Sequence, residues 1–168
     1  MVFRLIFLIT ILSYPAWAQW EAGASFNYKS EVPEKGFGIY ASRNLPIHFA
    51  DVGIKTRAGI DFFTNPGNGD SQSSEELHAD LVATLFYLDV QPYFGLSFGA
   101  AHYSINDFDE YIFFLGSLAG LRIAATSWLY PFVEIFSNYY SSDFNSQQTM
   151  QNISSLQVAG RAGFVIKF

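Results

Sequence analysis

The stretch DVGIKTRAGIDFF, residues 51–63, alternates ionic or glycine residues with apolar or small ones. Its charged residues all fall on one parity: Asp51, Lys55, Arg57 and Asp61. The other parity carries Val52, Ile54, Thr56, Ala58, Ile60 and Phe62. Successive side chains of a β-strand point to opposite faces, whereas a helix would scatter these charges around its axis. The stretch therefore predicts a strand with one ionic face and one apolar face.

Seven further segments repeat this alternation: residues 20–28, 36–42, 76–87, 93–100, 113–123, 131–138 and 156–168. The connections between them are long at 29–35, 64–75, 103–110 and 140–152, intermediate at 44–50, and short at 88–91 and 124–128. An even number of strands with alternating long and short connections is typical of bacterial membrane barrels. We expect an all-β fold, an eight-stranded antiparallel up-and-down transmembrane β-barrel.

The composition favours a barrel whose apolar parity faces lipid. Half of the residues are apolar and 18% are aromatic, yet the best helical candidate, residues 111–121, is far shorter than the roughly twenty residues that a spanning helix needs. A soluble β-sandwich or a lipocalin-like barrel would instead turn the apolar parity inward. Glycines such as Gly53 and Gly59 lie on the charged parity, which suits a crowded lumen better than a solvated face.

The N-terminus carries the features of an export signal. Arg4 precedes a short apolar run, which is followed by Pro15 and by the Ala16-Trp17-Ala18 site. This arrangement predicts that residues 1–18 are a signal peptide, and that residues 19–168 form one outer-membrane β-barrel domain. The chain has no cysteine, so disulfides cannot hold this exported domain together.

The C-terminus reads polar-x-Gly-x-x-apolar-x-aromatic through Arg161, Gly163, Ile166 and Phe168. This pattern resembles the signal by which the barrel-assembly machinery recognises outer-membrane proteins. In its pattern, the whole of residues 19–168 resembles the small eight-stranded outer-membrane barrels of the OmpA/OmpX type. The resemblance implies a monomer in the outer membrane of a Gram-negative bacterium, with both termini in the periplasm. Its implied partners are outer-membrane lipid, lipopolysaccharide and the assembly machinery.

The inward parity carries ionisable residues of both signs: Glu21, Lys55, Arg57, Asp61, Asp80, Arg122, Glu134 and Arg161. Eight strands enclose a lumen that side chains fill, and buried charges need partners. We therefore expect a plug of salt bridges, with Arg57 paired to Asp80 and Glu134 paired to Arg161 or Arg122. The main functional prediction is a plugged barrel with a structural or surface-interaction role. A narrow ion or small-solute channel is an alternative.

The later connections carry acidic residues and no lysine or arginine: Asp70, Glu75, Glu76, Asp107, Asp109, Glu110 and Asp143. Residues 106–110 offer oxygen ligands for a divalent cation but lack the spacing of a calcium loop, so a solvated acidic loop is the preferred interpretation. We expect no metal and no cofactor. The net charge of −6 disfavours nucleic acid as a partner.

The other alternative is enzymatic and concerns His102 and Ser104, which share the apolar parity near a rim. In many ester hydrolases a serine acts as the nucleophile, a neighbouring histidine takes its proton, and a carboxylate orients the histidine. Asp109 or Glu110 could supply that carboxylate here. The pair resembles the His-x-Ser motif of outer-membrane lipid A deacylases, which implies a lipid A-modifying esterase. That motif lies nearer the last strands in the family, and Ile105 stands where the family has asparagine. We therefore expect a barrel without enzymatic activity.

Overall fold

The structure is a computed structural model of the chain, and it describes residues 20–29, 34–65, 72–86, 89–105, 108–141 and 156–168. The predicted signal peptide lies outside the described residues. The eight strands are β1 (Trp20–Lys29), β2 (Glu34–Phe49), β3 (Val52–Asn65), β4 (Gln72–Leu85), β5 (Val90–Ile105), β6 (Phe108–Ile123), β7 (Leu129–Tyr140) and β8 (Leu156–Lys167).

The strands form a closed barrel in sequence order, and every neighbouring pair is antiparallel. Pairing of β8 with β1, from Glu21↔Lys167 to Lys29↔Ala159, closes the cylinder. This confirms the predicted all-β, eight-stranded up-and-down fold. Closure leaves no sheet edge with free backbone hydrogen-bonding groups. The described residues contain no helix that is long and apolar enough to cross a membrane.

The predicted connection 44–50 is wrong, because β2 continues to Phe49 and only a tight turn at Ala50 precedes β3. Its register changes between Asn44↔Lys55 and His48↔Gly53, so β2 carries two more residues than β3 across this interval. Such a bulge breaks the alternation on which the sequence prediction relied. Pro46 lies within it, where its missing N–H removes no regular ladder bond.

The predicted loop 103–110 is also wrong, since β5 runs to Ile105 and β6 begins at Phe108. Backbone pairing continues through Tyr103↔Glu110 to Ile105↔Phe108. The predicted loop 64–75 shortens in the same way, because β3 reaches Asn65 and β4 starts at Gln72. Ladder hydrogen bonds do not require apolar side chains, so strands extend beyond the segment in which hydropathy alternates.

Burial alternates along the strands, with the apolar parity outside and the ionic parity inside. Phe26 is 76% exposed and Leu96 is 62% exposed, whereas Arg57 is 6% exposed and Asp80 is 3% exposed. Leu81, from the predicted strand 76–87, is likewise exposed on the outer surface. The arrangement is the reverse of that in a water-soluble protein, where large apolar side chains are the ones most often buried.

Exposed aromatic side chains lie near both ends of the cylinder. We name the end that holds the chain termini of the barrel the terminus end, and the opposite end the distal end. Trp20, Trp128 and Phe168 are exposed at the terminus end. Tyr28, Tyr111 and Tyr139 are exposed toward the distal end.

Candidate functional site: the charged lumen

The lumen contains three layers of polar side chains, and the first lies toward the terminus end. Glu21 accepts hydrogen bonds from Lys55 Nζ at 2.9 Å, Arg122 Nη1 at 2.9 Å and Ser42 Oγ at 3.0 Å. Arg122 also donates from Nε to the Gln91 side-chain oxygen at 2.6 Å. One buried carboxylate of β1 therefore joins cations from β3 and β6. We call this set the terminus layer.

The second layer is a closed ring of six side chains, which we call the central ring: Arg57, Glu134, Arg161, Asp61, His78 and Asp80. Arg57 donates from Nε to Asp80 Oδ2 at 2.5 Å. Its two terminal nitrogens donate to both oxygens of Glu134, at 2.8 and 3.1 Å. This bidentate contact is the geometry in which a guanidinium binds a carboxylate most strongly.

Arg161 and His78 complete the central ring. Arg161 Nε lies 3.1 Å from Glu134 Oε1, and its Nη2 lies 3.1 Å from Asp61 Oδ2. His78 Nδ1 is 3.1 Å from Asp80 Oδ2, and its Nε2 is 3.5 Å from Asp61 Oδ2. The imidazole therefore lies between two carboxylates, and Asn27 further supports one of them by donating to Asp61 at 2.7 Å.

The central ring connects opposite walls of the barrel. Arg57, Asp61, His78 and Asp80 belong to β3 and β4, whereas Glu134 and Arg161 belong to β7 and β8. These two strand pairs lie half a circumference apart in the strand order. The ion pairs therefore brace the cylinder across its diameter, in addition to the ladder hydrogen bonds around it.

The third layer closes the lumen toward the distal end. Lys29 Nζ lies 2.5 Å from Glu76 Oε1, and the Tyr140 hydroxyl donates to the same oxygen at 2.8 Å. Lys29 Nζ also lies 4.0 Å from the ring centroid of Phe63 and 5.6 Å from that of Tyr103. Lys29 and Glu76 are each 1% exposed, so this distal layer is sealed from the outside.

The lysine and arginine side chains of the three layers equal the carboxylates in number. Five are cations, namely Lys29, Lys55, Arg57, Arg122 and Arg161, and five are anions, namely Glu21, Asp61, Glu76, Asp80 and Glu134. A cavity of about 20 Å³ lies between the terminus layer and the central ring, and its lining includes Glu21, Lys55, Arg57 and Arg122. Because a buried water molecule needs roughly 10–15 Å³, this cavity has room for about one.

The structure places all eight predicted lumen residues inside the barrel. It brings Arg57 to Asp80 and Glu134 to Arg161. The other partner considered for Glu134, Arg122, instead contacts Glu21 in the terminus layer. Sequence reasoning missed three further lysine, glutamate and histidine members: Lys29 was assigned to a connection, Glu76 to the acidic loops, and His78 was left out. The parity that Glu76 and His78 share with Asp80 would have revealed both.

Four of the seven predicted acidic-loop residues lie on strands instead. Glu75 is exposed on the outer face of β4, Glu76 is buried in the lumen, and Asp109 and Glu110 belong to β6. Asp70, Asp107 and Asp143 lie outside the described residues. Within the described part of the chain, no group of three or more histidine, aspartate or glutamate side chains is arranged to hold a metal ion.

The predicted hydrolase pair lies on the outer face near the distal end. Across the strands, Glu75 faces His102, which faces Tyr111, and the imidazole stacks on the Tyr111 ring with centroids 4.5 Å apart. Ser104 faces Ser73 and Asp109 in the neighbouring row. Glu110 pairs with the buried Tyr103, so its position belongs to the opposite parity. The register therefore does not bring Glu110 to His102, and the carboxylate beside this histidine is Glu75.

No protein-family model and no curated protein matches this chain. Solved structures do match it. Neisserial surface protein A is 17% identical, with a TM-score of 0.62 over 90% of this chain and 97% of that one. A major outer membrane protein from Thermus thermophilus is 13% identical, with a TM-score of 0.59 over 90% and 99%. The outer membrane enzyme PagL is 14% identical, with a TM-score of 0.53 over 88% and 98%. At these identities the likeness shows the fold, that of the small eight-stranded outer-membrane barrels.

Proposed function

We propose that this chain is an integral protein of the bacterial outer membrane, with a lumen closed by ion pairs and a structural or surface-interaction role. The observation that carries the proposal is the inverted sidedness of the barrel. Large apolar side chains surround the outer surface, among them Phe26, Phe37, Leu77, Phe94, Leu96, Phe98, Phe113, Leu115 and Ile135. The ionised side chains of the three layers are buried inside.

Physical chemistry makes a lipid environment the natural one for this surface. Burying apolar area gains about 25 cal/mol per Å², and soluble monomers rarely expose contiguous apolar patches larger than a few hundred Å². A belt around the whole cylinder exceeds such a patch. Hydrocarbon also requires every backbone polar group to be paired within the protein, which only a closed sheet or a helix achieves. The closed ladder of β1 to β8 meets this requirement.

The connections support an orientation with both termini in the periplasm. At the terminus end, β2 and β3 are joined by the turn at Ala50 and Asp51, and β6 and β7 by residues 124–128. Outer-membrane barrels carry their short turns on the periplasmic side. The distal end would then face the cell exterior, where segments 30–33, 66–71, 106–107 and 142–155 join the strands and where the longest of these connections, 142–155, lies. These segments, with the exposed Glu75, would carry any surface interaction.

The closed lumen favours a non-conducting barrel over the channel alternative. Ion pairs between strands that are not neighbours cross the lumen at three heights: Lys29–Glu76, Arg57–Glu134 and Arg122–Glu21. The cavity between the last two has room for about one water. A permeating ion would have to separate buried pairs, each of which loses several kcal/mol when one partner is left alone. The Lys29–Glu76 contact, packed against Phe63, closes the distal side independently of the central ring.

Refolding into lipid tests the proposal. Residues 19–168, diluted from urea into phosphatidylcholine vesicles, should float with the vesicles. They should also migrate on a gel as a compact form that heating converts to the unfolded one. The variant Phe98→Glu, which places a charge on the outer belt, should insert less well, whereas Glu75→Gln at the distal rim should insert like wild type. A folded monomer in detergent-free buffer would overturn the proposal.

A further inference from the structure

Arg43 carries a positive charge on the outer surface of the barrel, near the terminus end. Its neighbours on β2, Tyr40 and Ser42, are buried in the lumen, whereas Arg43 has the outward parity and is half-buried. The guanidinium carbon lies 5.4 Å from the ring of Trp20. A charge on the lipid-facing side of a barrel costs about 2–4 kcal/mol at the bilayer midplane but only about 0–1 near the interfaces.

Arg43 belongs to a row of three outward residues on adjacent strands. Trp20 of β1 faces Arg43, which faces Thr56 of β3. Trp20 and Thr56 are both exposed. Because tryptophan rings prefer the boundary between water and hydrocarbon, Trp20 fixes the height of the whole row at that boundary. The row therefore presents an indole, a guanidinium and a hydroxyl side by side at the depth of lipid headgroups.

The next outward row toward the middle of the barrel is made of small residues. Ala22, Ala41 and Ala58 face one another across the same three strands, and all three are exposed. Beyond them lies the row that contains Ile39, which is larger and also exposed. The small side chains of the alanine row therefore leave a shallow apolar depression beneath the guanidinium, which ends against Ile39 and Ile60 on β2 and β3 and continues over Ala24 on β1.

We infer that Trp20, Arg43 and Thr56 bind the phosphate of an anionic glycerophospholipid in the leaflet at the terminus end. One acyl chain of this lipid lies along Ala22, Ala41 and Ala58. This inference rests on the proposed membrane location. A guanidinium has five N–H donors in a planar fork that matches phosphate oxygens, and such a fork can contact a neighbouring side chain and a phosphate at the same time. Thr56 adds a hydroxyl donor. The cation lies at the membrane boundary and the apolar depression lies beneath it, in the same order as the headgroup and the acyl chain of a lipid.

Native mass spectrometry of residues 19–168, released from detergent micelles that contain equal amounts of phosphatidylglycerol and phosphatidylcholine, tests this site. Wild type should retain phosphatidylglycerol preferentially. Arg43→Gln should lower that retention about tenfold, which corresponds to about 1.4 kcal/mol and is close to the lower end of what a hydrogen bond to a charged group contributes. Lys35→Gln is the matched control, because Lys35 is an exposed outward cation on the same strand at the distal end. It should behave like wild type.

Two further arms fix the source of the phosphate and the role of the alanine row. Inorganic phosphate in excess should not displace phosphatidylglycerol, and displacement would overturn the lipid assignment. Ala41→Leu, which fills the depression without changing charge, should also lower lipid retention. Equal retention by Arg43→Gln and Lys35→Gln would overturn the inference. Wild type and each variant are first inserted into vesicles. Failure of wild type to insert would count against the proposed function. Insertion of wild type without a lipid preference would count against this site alone.

Discussion

Removing the charge of Glu134 should destabilise the barrel more than any change on its outer rim. Glu134 accepts two hydrogen bonds from Arg57, at 2.8 and 3.1 Å, and its Oε1 lies 3.1 Å from Arg161 Nε. Its side chain is fully buried. The substitution Glu134→Gln keeps the shape and one acceptor oxygen, but it places an amide N–H₂ group against guanidinium donors and leaves the lumen with five cations and four anions.

The expected loss follows from the number of contacts that depend on this carboxylate. Removing one partner of a buried pair costs about 3–5 kcal/mol, because the remaining charge stays out of water without its counter-ion. Arg57 keeps Asp80 and Arg161 keeps Asp61, so the cost should lie within that range rather than at twice its size. With a urea dependence of about 1–3 kcal/mol per molar, the unfolding midpoint should fall by at least about 1 M.

Urea titration in phosphatidylcholine vesicles, followed by heat-modifiable migration, measures this loss. Glu75→Gln is the matched control: it makes the same chemical change at an exposed outer position, and the unfolding free energy should move by less than about 0.5 kcal/mol. The double variant Glu134→Gln with Arg161→Gln should lose less unfolding free energy than the two single variants together. The difference should be about 0.5–3 kcal/mol, since the two groups share one network. Equal stability of Glu134→Gln and Glu75→Gln would refute the account of the central ring.

Three other predictions follow from the closure of the barrel, its packed lumen and its outer face. The Cβ of Gly163→Ala would clash with the Ala24 carbonyl oxygen and the Ser25 Cα of β1, and these backbone atoms cannot move away. Urea titration should therefore show an unfolding free energy about 1–3 kcal/mol lower than that of wild type. Gly160→Ala, whose Cβ would lie 3.8 Å from the nearest heavy atom, should stay within about 0.5 kcal/mol, and the reverse order would contradict the β8–β1 packing. In planar bilayers neither wild type nor Lys29→Ala should conduct ions, because the central ring remains closed when the distal layer is opened. Discrete conductance steps from wild type would support the channel alternative instead. Lipid A from cells that express wild type or His102→Ala should have identical acyl chains by mass spectrometry, and loss of a chain with wild type alone would support the esterase alternative.

Short-range alternation was enough to predict the strands and which side chains share a face. In 51–63, parity alone separates Arg57 and Asp61 from Ile54 and Ile60. Arg57 and Asp80 were expected to pair because both point inward on neighbouring strands, and the β3–β4 register sets them face to face. Where alternation fails, the prediction fails with it, as at the bulge between Asn44 and His48.

The sequence could not predict which charged side chains pair across the lumen. Glu21 meets Lys55 and Arg122 because closure of the cylinder and the tilt of its strands bring β1, β3 and β6 to one height. These residues lie far apart in the chain, and parity says only that they point inward. Lys29 illustrates the same limit, because its burial depends on Glu76, Phe63 and Tyr103 from three other strands. The sequence therefore predicts most of the charged residues that point into the lumen. It does not predict which of them pair, because the pairs depend on the stagger of the strands.

The sidedness of the barrel can be measured directly with a nitroxide attached to Leu96→Cys, since the chain has no native cysteine to interfere. Leu96 lies on β5 with its side chain on the outer surface, next to the inward Ser97. In vesicles, the account predicts that molecular oxygen, which concentrates in hydrocarbon, broadens the nitroxide signal strongly, whereas a water-soluble nickel complex leaves it almost unchanged. A nitroxide that the nickel complex reaches as readily as oxygen does would mean that this face meets water, and the account would be wrong.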